Sequence, residues 1–189
     1  MLPPSAQLNP SYRYLRVQAD EQPPALLVLG YINPHSQGDI EVWYSAKGEV
    51  IKLQRGRLVG TAGLKTDWLA LRHVMAIPGW ENIDQSGTTY ERIRDERPGY
   101  KDGIVEKLHI SMGGKQQLHL SGHQPEGLQR QQLRWFTETV INPSANGLPP
   151  ALFGWGQHRG VGAIVYSRQC LTETFCLTLQ AWPPEGETP

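Results

Sequence analysis

Turn signals interrupt the N-terminal part of this chain at such short intervals that long helices have no room to form. The extended runs Tyr12–Val17, Ala25–Ile32, Ile40–Tyr44, Glu49–Leu53 and Arg57–Thr61 alternate with Pro23-Pro24, Asn33-Pro34, Ala46-Lys47-Gly48 and Arg55-Gly56. Apolar and β-branched runs recurring about every eight to ten residues, with Gly and Pro between them, are the pattern of an antiparallel meander. It resumes after Ser86 with Thr88–Ile93, Ile104–Met112, Lys115–Ser121, Leu128–Ile141, Ile164–Gln169 and Phe175–Ala181. Gly113-Gly114 predicts a hairpin between Ile104–Met112 and Lys115–Ser121. Thr137, Thr139, Val140 and Ile141 favour strand over helix. One short helix is expected at 67–75, where Trp68, Leu71 and Met75 recur at helical spacing behind a Thr66-Asp67 cap. Arg94–Asp102 reads as a charged loop, and Phe153–Gly160 as a mobile loop with an aromatic tip.

With 20 glycines and 15 prolines in 189 residues, helices of ten or more residues do not repeat, which disfavours a doubly wound parallel sheet. The length suits a single domain, with 1–10 a loose lead-in and the tail from Pro183 loose as well. The expected fold is therefore mainly β: a strongly curved antiparallel sheet coiled around the short helix, burying Leu27, Leu29, Trp68, Leu71 and Trp135.

Charge narrows the partners. Eighteen basic side chains balance eighteen acidic ones, whereas a nucleic-acid binder shows a basic excess. No apolar run reaches the ~18 residues of a spanning helix. The N-terminus has no secretory signal, so the protein is cytoplasmic or its targeting segment has been cut away.

Local motifs give enzymatic chemistry no anchor. There is no Gly-x-Ser-x-Gly elbow, phosphate loop or dinucleotide fingerprint. His119 and His123 on an extended strand lie roughly 13 Å apart, too far to share a metal, so neither metal nor cofactor is expected. Lys52, Arg55, Arg57 and Lys65 fall within a stretch that contains no acid. An extended chain puts Arg55 and Arg57 on one face, where charge-assisted bonds to an anionic partner are available. Trp43 and Trp155 sit beside turns or glycines, where an indole can stack on a sugar. Cys170 and Cys176 are short-spaced: across a hairpin they could form a disulfide, and otherwise they are two separately buried thiols.

Residues 25–64 resemble a known family. The segments LLVLGY and EVWYSAKGEVIKLQRGRLVGTAGL are similar to the YjbF/GfcB family of capsule and exopolysaccharide lipoproteins. The resemblance is carried by Leu29-Gly30, Trp43, Gly48, Gly56-Arg57 and Thr61-Ala62-Gly63-Leu64, and Ser167-Arg168-Gln169 resembles the closing strand. It implies a half-barrel-like sheet similar to lipoprotein carriers, placed in the periplasm or at the outer membrane. It also implies a non-enzymatic accessory role in exopolysaccharide or capsule production or export. Acidic polysaccharide and export-machinery proteins are the expected partners, with Trp43, Lys52, Arg55, Arg57 and Trp155 as candidate contacts. A membrane would be met only through a lipid anchor, whose cysteine this chain lacks. A carrier sheltering a lipid or acyl chain in the concave sheet is the alternative.

Overall fold

The computed structural model describes residues 8–20, 22–113, 125–142 and 147–184. In chain order its strands are β1 (Tyr14–Ala19), β2 (Ala25–Asn33), β3 (Ile40–Tyr44), β4 (Val50–Gln54), β5 (Arg57–Ala62) and β6 (Asp67–His73). There follow β7 (Thr88–Arg97), β8 (Lys101–Met112), β9 (Arg134–Val140), β10 (Ala151–His158), β11 (Val161–Thr172) and β12 (Phe175–Trp182). All twelve join one antiparallel sheet, curved almost into a closed barrel. Strands adjacent in sequence pair with each other, except β5 with β6, and β1 pairs with β12, from Tyr14 opposite Trp182 to Ala19 opposite Leu177. The two edges are β5 and β6.

Side chains close that seam. The Asp67 carboxylate accepts hydrogen bonds from Thr61 Oγ1 at 2.9 Å and from the Gly63 and Leu64 amides at 3.0 and 3.1 Å. Thr61 Oγ1 accepts from the Trp68 amide at 3.1 Å. Further along β5, Gln169 of β11 accepts from the Leu58 amide at 2.8 Å and donates to the Gly56 carbonyl at 2.9 Å. Edge groups that would otherwise recruit a foreign strand are thus partly satisfied internally.

The concave side holds two apolar clusters. One gathers Leu15, Leu27, Trp43, Ile51, Leu58, Trp68, Leu171 and Leu177. The other gathers Tyr90, Leu108, Ile110, Phe136 and Phe153 around Trp80 and Ile83. Trp80 and Ile83 belong to the long β6–β7 connection, which enters the barrel as a plug; the Trp80 indole donates to the Arg55 carbonyl at 2.9 Å. Leu27, Trp68 and Trp135 are buried as expected, while Leu29 and Leu71 are half-buried.

Three local expectations are corrected. Residues 67–75 form no helix: Asp67 spends its carboxylate on the β5–β6 turn instead of capping, Trp68 donates to the Leu171 carbonyl at 3.1 Å, and Met75 is exposed. The described residues contain only two 3-10 turns, Trp80–Asn82 and Arg130–Gln132. Arg94–Arg97 and Lys101–Asp102 extend β7 and β8, leaving only a tight turn between them. Phe153–His158 lies within β10, and its partners Ser167 and Phe136 leave no loop there. β8 is paired by β7 on one side and by β9 on the other. Lys115–Ser121, His119 and His123 lie outside the described residues. In β9 the inward phase is Phe136 and Glu138; Trp135 points outward and is covered by 128–133, its indole donating to the Arg130 carbonyl at 3.0 Å.

Candidate functional site

At one end of the barrel the strand ends enclose an open cavity of about 560 Å³. Its floor is apolar, built by Leu15 of β1, Trp43 of β3, Leu53 of β4, Ile164 of β11 and the plug residue Trp80. Trp155 of β10 forms one wall, and the rim carries Arg13, Asp39, Glu41, Arg55, Glu81 and His158. The antiparallel alternation explains the convergence: β1, β3 and β11 start at this end, while β2, β4, β10 and β12 finish there. The β4–β5 turn is tight. Arg55 and Gly56 both take left-handed backbone conformations, at φ 50° and 79°. A Cβ on Gly56 would stand 2.6 Å from Ile164 Cβ, so only glycine lets the turn press onto the cavity floor.

Rim electrostatics are mixed. Arg13 pairs with Glu41 and lies over the Trp43 ring, 5.6 Å from its centroid. The Arg55 guanidinium is exposed and makes no ion pair among the described residues, and neither do Asp39 and Glu81. The rim thus offers one free cation and two free acceptor carboxylates around three indoles.

Beneath the plug lies a second polar assembly that the residue pattern did not disclose. Arg92, Arg94 and Glu96 of β7 alternate toward the interior and meet Glu106 of β8 and Glu138 of β9. Arg92 contacts Glu106 at 2.7 Å and Glu138 at 3.8 Å, and Arg94 contacts Glu106 at 2.9 Å and Glu96 at 2.6 Å. Both guanidinium groups also lie 4.9 Å from the Trp68 ring centroid. Arg57 completes the row, donating to Glu138 at 3.4 Å and stacking 3.9 Å from the Trp80 centroid. Burial opposes the Arg92 charge, yet Glu106 and Glu138 outweigh it and hold its pKa above the ordinary value. Burial, then Glu138, push the Tyr90 phenol up as well, and its hydroxyl donates to Glu138. The period-two run Tyr90-x-Arg92-x-Arg94-x-Glu96 is the signal that was available for this face.

The five residues singled out from the sequence therefore separate. Trp43, Arg55 and Trp155 line the cavity. Arg57 does not share a face with Arg55: the turn sends Arg55 to solvent and buries Arg57 at 1% exposure in the ion row. Lys52 points to the convex side of β4, opposite Val42 and Gly60. Cys170 and Cys176 stand opposite each other on β11 and β12 and are joined by a disulfide.

The family model described as group 4 capsule polysaccharide lipoprotein gfcB, YjbF, matches residues 6–141. The chain belongs to this family. Among solved structures, the hypothetical lipoprotein YmcC from Escherichia coli K12 is similar over 95% of this chain and 86% of its own, with 17% identity and a TM-score of 0.64. That likeness concerns the fold, and it extends past the YjbF match into the C-terminal strands. No curated protein matches the sequence.

Proposed function

We propose that this YjbF-family protein is a non-enzymatic accessory component of exopolysaccharide or capsule production or export, acting in the periplasm or at the outer membrane. In this reading the barrel-end cavity holds a segment of the polysaccharide. The carrying observation is the meeting of Trp43, Trp80 and Trp155 with the free Arg55 in one open cavity. Its volume suits a small ligand. A pyranose presents an apolar C–H face to an indole and hydroxyl groups at its edge. Asp39 and Glu81 accept from hydroxyls, and Arg55 donates to hydroxyls or acidic groups. Those two carboxylates stand exposed on the rim, unlike the enclosed, apolar setting in which a glycosidase keeps its general acid protonated.

Titration of an acidic exopolysaccharide, followed by tryptophan fluorescence at low and high salt, tests the assignment. Trp155→Ala and Arg55→Ala each weaken binding about tenfold, and Arg55→Ala also flattens the salt dependence. Unchanged affinity in both variants, or no binding by the wild type, overturns it. Leu15, Leu53 and Ile164 on the floor favour a second reading, a carrier enclosing an acyl chain. Lipid co-purifying with the wild type, detected by mass spectrometry and lost on Ile164→Asp, would establish that reading instead.

A further inference from the structure

The convex face of β2, β3 and β4 carries an aromatic patch that the cavity does not use. A bulge at Gly30 brings Tyr31 opposite Val42, while Leu29 stays opposite Trp43. Trp43 faces inward, so Val42 and Tyr31 face outward, and Tyr44, two residues along β3, shares their side. Lys52 extends the same cross-strand row, directly opposite Val42. The Tyr31 and Tyr44 rings have centroids 6.5 Å apart and are exposed at 51% and 40%. Val42 between them is 1% exposed, so the rings form an apolar floor over a sealed strand.

Two details mark this as a built surface. A Cβ on Gly30 would lie 2.5 Å from Tyr44 Cε2 and 2.6 Å from Cδ2, so the ring is seated on bare backbone. Lys52 packs its stem against β5, with Cδ 3.3 Å from where a Cβ on Gly60 would stand, and its ammonium forms no ion pair among the described residues. The stem leans toward β5, and the cation shares the convex row of Val42 and Tyr31 at the β5 side of the two rings.

We infer that Tyr31, Tyr44 and Lys52 form a second saccharide site, one that takes a carboxylate-bearing sugar. The tyrosines stack on the C–H face of one sugar, and Lys52, toward β5, pairs with a carboxylate farther along the same polymer. The unpaired cation selects an anionic ligand, and paired aromatic faces select a flat ring with an apolar side over an extended peptide. This inference rests on the polysaccharide reading of the protein but on a different surface from the cavity. One long polymer that engages both sites gains affinity by effective concentration, without a new contact.

Amide chemical-shift mapping of the full chain with alginate, a polyuronate, separates the two surfaces. Shifts at Tyr31, Tyr44 and Lys52 support the site. Lys52→Gln then weakens alginate binding about tenfold and reduces its salt dependence. Gly30→Ala, which keeps every contacting side chain but unseats Tyr44, weakens it severalfold with circular dichroism unchanged. Shifts confined to Trp155 and Ala163 overturn this site and leave the cavity reading standing; shifts confined to the convex face do the reverse. Shifts at neither place overturn both. Vesicles containing phosphatidylglycerol that displace alginate from the wild type, but not from Lys52→Gln, would make the patch a membrane contact and overturn the sugar assignment.

Discussion

Replacing Glu138 by glutamine removes one negative charge from the most enclosed part of the barrel while keeping its shape. Glu138 is 4% exposed and receives Arg57 at 3.4 Å, Arg92 at 3.8 Å and the Tyr90 hydroxyl. The loss falls unevenly. Arg92 retains Glu106 at 2.7 Å, whereas Arg57 has no other carboxylate among the described residues and keeps only a 3.5 Å bond to the Pro78 carbonyl. Breaking a buried pair by removing one partner costs about 3–5 kcal/mol. The amide oxygen still accepts from Tyr90, and Trp80 still faces the guanidinium 3.9 Å away, which places Glu138→Gln near the lower end, about 3 kcal/mol. For a domain of this size each kcal/mol lowers Tm by roughly 2–4 °C, so the expected drop is about 6–12 °C. Guanidinium titration followed by tryptophan fluorescence gives the free energy. Adding Arg57→Met removes the stranded charge, and the double variant is more stable than Glu138→Gln alone. A loss below about 1 kcal/mol would mean the pair is screened like a surface one. A double variant less stable than the single would likewise refute the stranded-charge argument.

Three further outcomes follow from local geometry. Gly56→Ala places a Cβ 2.6 Å from Ile164 at φ 79° and costs about 3 kcal/mol, strain and overpacking together, measured by thermal melting. Cys176→Ser opens the Cys170–Cys176 link, whose partners are 6 apart in sequence. So short a loop limits the loss to about 2 kcal/mol, and the wild type in reductant shows the same denaturation midpoint as the variant. Trp68→Phe gives up the bond to the Leu171 carbonyl and part of the stack under Arg92 and Arg94, lowering stability by about 2 kcal/mol in the same titration.

How much was legible depended on whether neighbours in sequence decide the structure. Strand Ile40–Tyr44 was readable to the residue because turn chemistry bounds it on both sides and Val42 and Trp43 are strong strand formers. Residues 67–75 misled because Trp68, Leu71 and Met75 fit a helical period, while the bulge between Trp68 and Ala70 disguises the strand period. From sequence, Arg94 and Glu96 read as a solvated loop because charge normally faces water. Arg94 meets Glu106 and Glu96 meets Lys101, both from β8, and only topology reveals these partners. The same holds for the cavity. Trp43, Arg55 and Trp155 each stand out as candidates, but the β1–β12 pairing that joins the two halves of the sheet and brings β10 opposite β3 has no local signature. Arg57 was misplaced by one structural detail, the phase change at the Arg55-Gly56 turn.

The ion row also sets how the barrel responds to acid, through a histidine beside it. His73 of β6 has its ring centroid 5.8 Å from that of Tyr90. Burial first, then the charges of Arg92 and Arg57, with a smaller contribution from His35, push its pKa down to about 4. The folded barrel therefore prefers neutral imidazole, whereas the unfolded chain takes up a proton near pH 6.5. Stability from this preference is fully present above pH 6.5 and is lost as pH falls toward 4, because the unfolded state binds the extra proton first. A pKa drop from 6.5 to about 4 corresponds to roughly 3 kcal/mol, and water at the half-exposed ring brings this nearer 2. Denaturant midpoints of wild type and His73→Gln between pH 7.5 and 4 isolate the contribution, since every other titrating group is common to both. The wild type should lose about 2 kcal/mol more than the variant over that range, with the curves diverging below pH 6.5. Curves that stay parallel would show that His73 titrates alike in both states, and that the cations of the ion row are shielded from it by their own carboxylates.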